Sequence, residues 1–123
     1  METAKVLLVV DDEPGVLRLA KEVLARAGFD VLAARSPEQA TNLCREHPGP
    51  IHLVLLDVIL PDTPGLELFP QLSELRPDLK VVFMGGYPSE LVVGCKLDGA
   101  VFVQKPFQPQ ALVDVVQKVL AGR

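Results

Sequence analysis

The sequence predicts an α/β fold: a doubly wound, five-stranded parallel sheet with helices on both faces. Three observations carry that expectation. Apolar runs such as VLLVV (6–10) are continuous rather than alternating, the pattern of strands buried on both faces. The stretches between such runs switch to helical spacing. The two kinds of segment alternate along the whole chain, giving βα five times over.

The first strand, 6–10, leads into a helix over 13–28. Val16, Leu17, Ala20, Val23, Leu24 and Ala27 recur on one face of it, and Gly28 is placed to cap its C-terminus. A short second strand covers 29–34. The helix at 36–47 opens with a capping box: Ser36 as N-cap, Pro37 at the first helical position and Gln39 reaching back. IHLVLLD (51–57) is the third strand. A Pro/Gly loop, LPDTPG (60–65), precedes a helix at 66–76 with Leu68, Leu72 and Leu75 on one face. Pro70 must fall in its first turn or kink it. The fourth strand, 79–84, stops at Gly85 and Gly86. SELVVGCKL (89–97) is a weak helix, because two valines and Gly94 lower its propensity. Leu91, Val92 and Val93 stand together there; two of them face the core in one reading, and they form a partner patch in the other. The fifth strand, 100–104, is followed by a helix over 109–122 with Leu112, Val116, Val119 and Leu120 inward. Right-handed crossovers leave few topologies. Five strands in this pattern suit the flavodoxin-like order 2-1-3-4-5.

The 123 residues are enough for one domain, 1–123, and too few for two comfortable ones. A net charge of −4 argues against a nucleic-acid surface, which would show a basic stripe. No apolar run approaches the ~18 residues of a membrane span. The N-terminal apolar stretch is too short for a signal peptide. The expectation is a cytoplasmic chain without membrane contact. Cys44 and Cys95 match no metal or redox spacing and read as buried, reduced packing residues. His47 and His52 lack clustered partners, which argues against zinc.

In a doubly wound sheet the functional crevice lies outside the carboxyl ends of the strands. Strand one ends in Asp11, Asp12 and Glu13, strand three in Asp57, strand four in Gly85 and Gly86, and strand five in Gln104, Lys105, Pro106 and Phe107. Three carboxylates and one ammonium therefore meet in one shallow pocket. Clustered carboxylates repel unless a cation sits among them. Mg²⁺ suits oxygen ligands of this kind, and Lys105 supplies a compact positive charge on the other side. A carboxylate between the two can attack phosphorus, and Asp57 is the central one. Taken singly, the Asp11–Asp12 pair is a helix cap and Lys105–Pro106 a turn. Matches at four strand ends together are harder to assign to chance.

At this point the sequence resembles the receiver domain of two-component response regulators. The matching elements are VVDDE, LLDVILPDTPGLEL, FMGGY and QKPF, and the likeness covers the whole chain. The resemblance implies that Asp57 accepts a phosphoryl group from a phosphohistidine. It implies that Asp12 ligates Mg²⁺ directly, Asp11 through water and Ile59 through its backbone carbonyl. It implies that Lys105 pairs with the phosphoryl oxygens, that the Lys105–Pro106 bond is cis, and that Phe102 is an aromatic switch residue. The implied partner is a sensor histidine kinase or a histidine phosphotransfer domain, with the chain a monomer or weak homodimer. FMGGYPSE and AVFVQKPFQPQAL look most like receivers fused to the C-terminus of hybrid sensor kinases. Such a chain is a stand-alone receiver or a domain of a longer protein, and is not an enzyme.

One departure is plain. The family nearly always has Thr or Ser where this chain has Gly85, and its hydroxyl bonds the phosphoryl group. An alternative is therefore a degenerate receiver that acts as a protein-interaction module. Retention of Asp11, Asp12, Asp57 and Lys105 counts against it. A Mg²⁺-dependent phosphohydrolase would need a second acid near Asp57, and Val58 and Ile59 offer none.

Overall fold

The computed structural model describes residues 4–60, 63–85 and 101–122. Among them run β1 (Val6–Val10), α1 (Pro14–Arg26), β2 (Asp30–Ala34), α2 (Pro37–Glu46), β3 (Leu53–Asp57), α3 (Gly65–Leu75), β4 (Lys80–Gly85), β5 (Val101–Gln104) and α4 (Pro109–Leu120). Every strand pair is parallel and the order is β2-β1-β3-β4-β5, as the sequence predicts. The helix expected at 89–97, with Leu91, Val92, Val93 and Cys95, and the second glycine, Gly86, lie outside the described residues.

The continuous apolar runs divide by parity between two cores. Leu8, Val10, Val54, Leu56 and Phe83 pack with Ala40 and Cys44 of α2 and Leu68 and Leu72 of α3. Leu7, Val9, Leu53, Leu55, Val82 and Met84 pack on the other face with Leu17, Ala20 and Leu24 of α1 and Leu112 and Val116 of α4. Each fully buried Leu or Val stabilises the fold by about 1.5–3 kcal/mol. Among the described residues, no helix is long and apolar enough to cross a membrane.

Local detail meets expectation in some places and departs from it in others, each with a physical reason. Gly28 follows the α1 cap at φ +100°, a region that favours glycine. At α2 the Ser36 hydroxyl accepts from the Gln39 amide (3.1 Å), but the Gln39 carbonyl oxygen accepts from Arg35, one residue before the cap (2.8 Å). Pro70 lies inside α3 rather than in its first turn, because the helix already starts at Gly65. Its missing N–H cannot serve the Leu66 carbonyl. The inward face of α3 is Leu68 and Leu72, while Leu75 is 39% exposed. The Arg76 guanidinium, just beyond α3, donates to three carbonyls at the end of α2: Cys44 (2.8 Å), His47 (2.6 Å) and Gly49 (2.6 Å). Burial pushes the free Cys44 thiol upward in pKa, and the charge of Arg76 opposes this only in part.

The register sets the functional edge. Val10 pairs with Leu56, Asp57 with Met84, and Gly85 with Gln104. Asp11, Asp57, Gly85 and Lys105 therefore lie together at the carboxyl edge of the sheet. β4 runs one residue beyond the predicted end, because Gly85 still pairs and its carbonyl accepts from the Lys105 amide at 2.7 Å.

Candidate functional site

β1 and β3 are neighbours, so the residues that end them stand side by side. Asp11 and Asp57 are both buried, whereas Asp12 is exposed. Carboxylate oxygens of all three lie within 4.8 Å of one another. Lys105 follows β5, two strands from β3, and reaches back across the end of β4. Its ammonium nitrogen lies 2.7 Å from Asp11 Oδ2, 3.2 Å from Asp57 Oδ2 and 3.6 Å from Glu13 Oε1. The Lys105–Pro106 peptide is cis.

The two buried carboxylates are held alike. Asp11 Oδ1 accepts from the Glu13 amide at 2.8 Å, and Asp57 Oδ1 accepts from the Ile59 amide at 3.1 Å. In each the backbone two residues on fixes one oxygen, and the other faces Lys105. The Asp57–Lys105 contact is a directed hydrogen bond. Asp11 Oδ2, by contrast, is fully buried and, among the described residues, meets Lys105 in an ion pair without a well-directed donor. Gly65 lets α3 begin against this edge, since a Cβ there would overlap the Asp57 carbonyl oxygen. Its amide donates to the Val58 carbonyl at 3.0 Å.

Electrostatics follow from burial and crowding. Burial, joined by the charge of Asp11, pushes the Asp57 pKa upward; the Ile59 amide and Lys105 oppose it without cancelling it. For Lys105, burial alone would lower the pKa. The close pairing with Asp11, and that with Asp57, outweigh it and the net shift is upward. One ammonium thus serves Asp11, Asp57 and the rim residue Glu13. A cavity of about 520 Å³ opens here, lined by Asp12, Glu13, Val16, Asp57, Ile59, Lys105 and Pro106. Excess carboxylate, all-oxygen donors and the under-satisfied Asp11 Oδ2 fit a hard divalent cation.

The residues singled out in the sequence fall as follows. Asp11, Asp12, Asp57 and Lys105 come together. Ile59 lines the cavity with an exposed side chain and places its amide on Asp57. Gly85 is buried at the end of β4, and Phe102, partly buried on β5, packs beside it. Sequence reasoning missed three contributors. In the sequence Glu13 reads as part of a strand end, with no sign that it partners Lys105. Gly65 and Val58 act through distances that no local pattern carries.

A doubly wound sheet with three carboxylates and one lysine at its carboxyl edge defines a class of protein: an acidic-pocket α/β domain. Residues 7–117 match the sequence model of the response regulator receiver domain. The chain belongs to that family. It is 35% identical over 119 residues to the transcriptional regulatory protein AruR of Pseudomonas aeruginosa, covering 93% of this chain and 48% of AruR. It resembles the crystal structure of a CheY-like receiver domain protein from Methanospirillum hungatei JF-1 (TM-score 0.84, 27% identity, 98% and 96% of the two chains). It also resembles the receiver domain of the hybrid histidine kinase CckA (TM-score 0.80, 30% identity, 94% and 98%). The chain spans about a quarter to a half of the length of the curated relatives it matches.

Proposed function

We propose that this chain is a phospho-accepting signalling receiver, not an enzyme, and that Asp57 takes a phosphoryl group from a phosphohistidine. The observation that carries the reading is the placement of Asp57: last residue of β3, its Oδ2 on Lys105, at the floor of an open acidic cavity. A carboxylate oxygen of Asp57 forms the O–P bond as the N–P bond breaks, and the imidazole leaves with the electron pair. Lys105 neutralises charge on the oxygens gathered there, and the Ile59 amide holds the carboxylate in line. Both act without reorganising, which is how such groups lower a barrier.

Asp12 and Asp57, with Asp11 behind a water and the Ile59 carbonyl, are the residues that would hold Mg²⁺. The ion, when bound, supplies charge neutralisation to both the carboxylates and the incoming phosphate. The partner is a sensor histidine kinase or a histidine phosphotransfer domain. Likeness to the CckA receiver supports a hybrid-kinase setting. The free, buried Cys44 thiol suits a reducing compartment such as the cytoplasm.

Phosphoramidate, a small donor with an N–P bond, tests the reading. With Mg²⁺ it should add the mass of one phosphoryl group to the wild type and none to Asp57→Ala. A folded wild type that takes up no phosphate would favour the interaction-module alternative that Gly85 raises.

A further inference from the structure

Gly85 and Val58 are fitted to each other. A Cβ on Gly85 would lie 2.7 Å from Val58 Cγ2, and 3.5 and 3.7 Å from Cζ and Cε2 of the Phe102 ring. The space a side chain at 85 would need is thus taken by Val58 from the end of β3 and by Phe102 from β5. Val58 cannot step aside. Its amide donates to the Met84 carbonyl and its carbonyl accepts from the Gly65 amide, both at 3.0 Å. It is buried, and a β-branched side chain is stiff at χ1. Gly85 is tied just as firmly, paired with Gln104 and accepting from the Lys105 amide. Phe102 packs against the same core cluster that contains Val58.

We propose that Val58 is the positioning residue that couples Asp57 to the Phe102 ring, in the space that Gly85 leaves for these two side chains to fill. The proposal rests on Asp57 being the phosphoacceptor. Val58 shares a peptide bond with Asp57, so a rearrangement of the Asp57 carboxylate against Lys105 and the Ile59 amide is felt at the Val58 backbone. The Val58 methyl then passes it to the aromatic ring, with no side chain from residue 85 between them. Val58 thereby takes the linking place that residue 85 cannot fill, and the pair 58/85 is matched in size.

The test combines a phosphoryl mimic with a double-mutant cycle. Beryllofluoride and Mg²⁺ are added while NMR follows the Ile59 amide, as a report of binding, and the Phe102 ring. In wild type both should shift. In Val58→Ala the Ile59 shift and the mimic affinity should persist while the Phe102 shift is largely lost. Val58→Ile, which keeps the Cγ2 branch, should recover it. Independently, Gly85→Ala should lower Tm, and adding Val58→Ala to it should raise Tm again. A full Phe102 shift in Val58→Ala, or Tm losses that simply add, would overturn the proposal. So would a wild type whose Ile59 amide shifts while Phe102 does not. If the wild-type Ile59 amide fails to respond at all, the phosphoacceptor reading falls and takes this inference with it.

Discussion

Lys105 Nζ lies nearer to Asp11 than to Asp57 or Glu13, 2.7 Å from an oxygen that is wholly buried. The lysine is therefore a partner of the apo fold as well as a group awaiting phosphate. Lys105→Met keeps the stem and removes the charge, leaving Asp11 and Asp57 facing each other. Breaking a buried pair costs about 3–5 kcal/mol. The low end applies here, since the cavity is open to water. Urea unfolding without divalent cations should show a loss of about 3 kcal/mol. An unchanged midpoint would mean that the Asp11 contact carries no stability.

Asp57→Asn should stabilise the metal-free protein. Its folded pKa lies above the ordinary 3.8, from burial first and the Asp11 charge second. For an acid raised in this way, the contribution to stability is fully present below the unfolded pKa and is lost as pH rises through the folded value. The wild type thus bears its cost at neutral pH. The advantage of Asp57→Asn should be largest there and shrink on acidification, disappearing below the unfolded value. Chemical denaturation across pH measures it. An advantage that grows toward acid would show the shift to have the opposite sign.

Millimolar Mg²⁺ should raise Tm by mass action, with about 1.4 kcal/mol for each tenfold excess over Kd. Asp12 is exposed and belongs to the carboxylate cluster, so Asp12→Ala should fold normally yet lose the Mg²⁺-induced rise. The quantity to compare is that rise, because relief of repulsion shifts the baseline Tm of the variant by itself. Equal rises in both proteins would remove Asp12 from the ion's site.

Gly65→Ala should be costly out of proportion to one methyl group. The added Cβ meets the Asp57 carbonyl oxygen and the Val58 backbone, neither of which can rotate away. Overpacking of this kind costs about 1–3 kcal/mol, and backbone contact places it at the upper end. Calorimetry reads the loss, and the Mg²⁺ response should weaken with it as Asp57 is displaced. A Gly65→Ala protein as stable as wild type would mean that α3 can shift away from β3 freely.

Most of this architecture was legible in the sequence, because its signals are local. VLLVV and LVLLD report strands buried on both faces, and Ser36-Pro37 reports a helix start. Asp11, Asp12, Asp57 and Lys105 can be gathered from the sequence alone, since a doubly wound sheet brings strand ends to one edge. What escaped depends on residues far apart in the chain. Nothing around Arg76 signals that it holds the carbonyls of Cys44, His47 and Gly49. Gly85 was legible as a missing hydroxyl, but not as room for the Val58 methyl. For Pro70 the sequence left two places open, the first turn or a kink; it sits inside α3, where packing of Leu68 and Leu72 outweighs one lost hydrogen bond.

In a phospho-accepting receiver of this kind, Asp57 itself becomes the acyl phosphate. The most direct measurement is to incubate the chain with acetyl phosphate and Mg²⁺, reduce it with borohydride, and map the product by peptide mass spectrometry. An acyl phosphate is reduced to an alcohol, which marks its position permanently. That mark should fall at residue 57, and be absent without Mg²⁺ and absent in Asp57→Asn. A mark at Asp11 or Asp12 instead, or a folded protein with no mark anywhere, would contradict it.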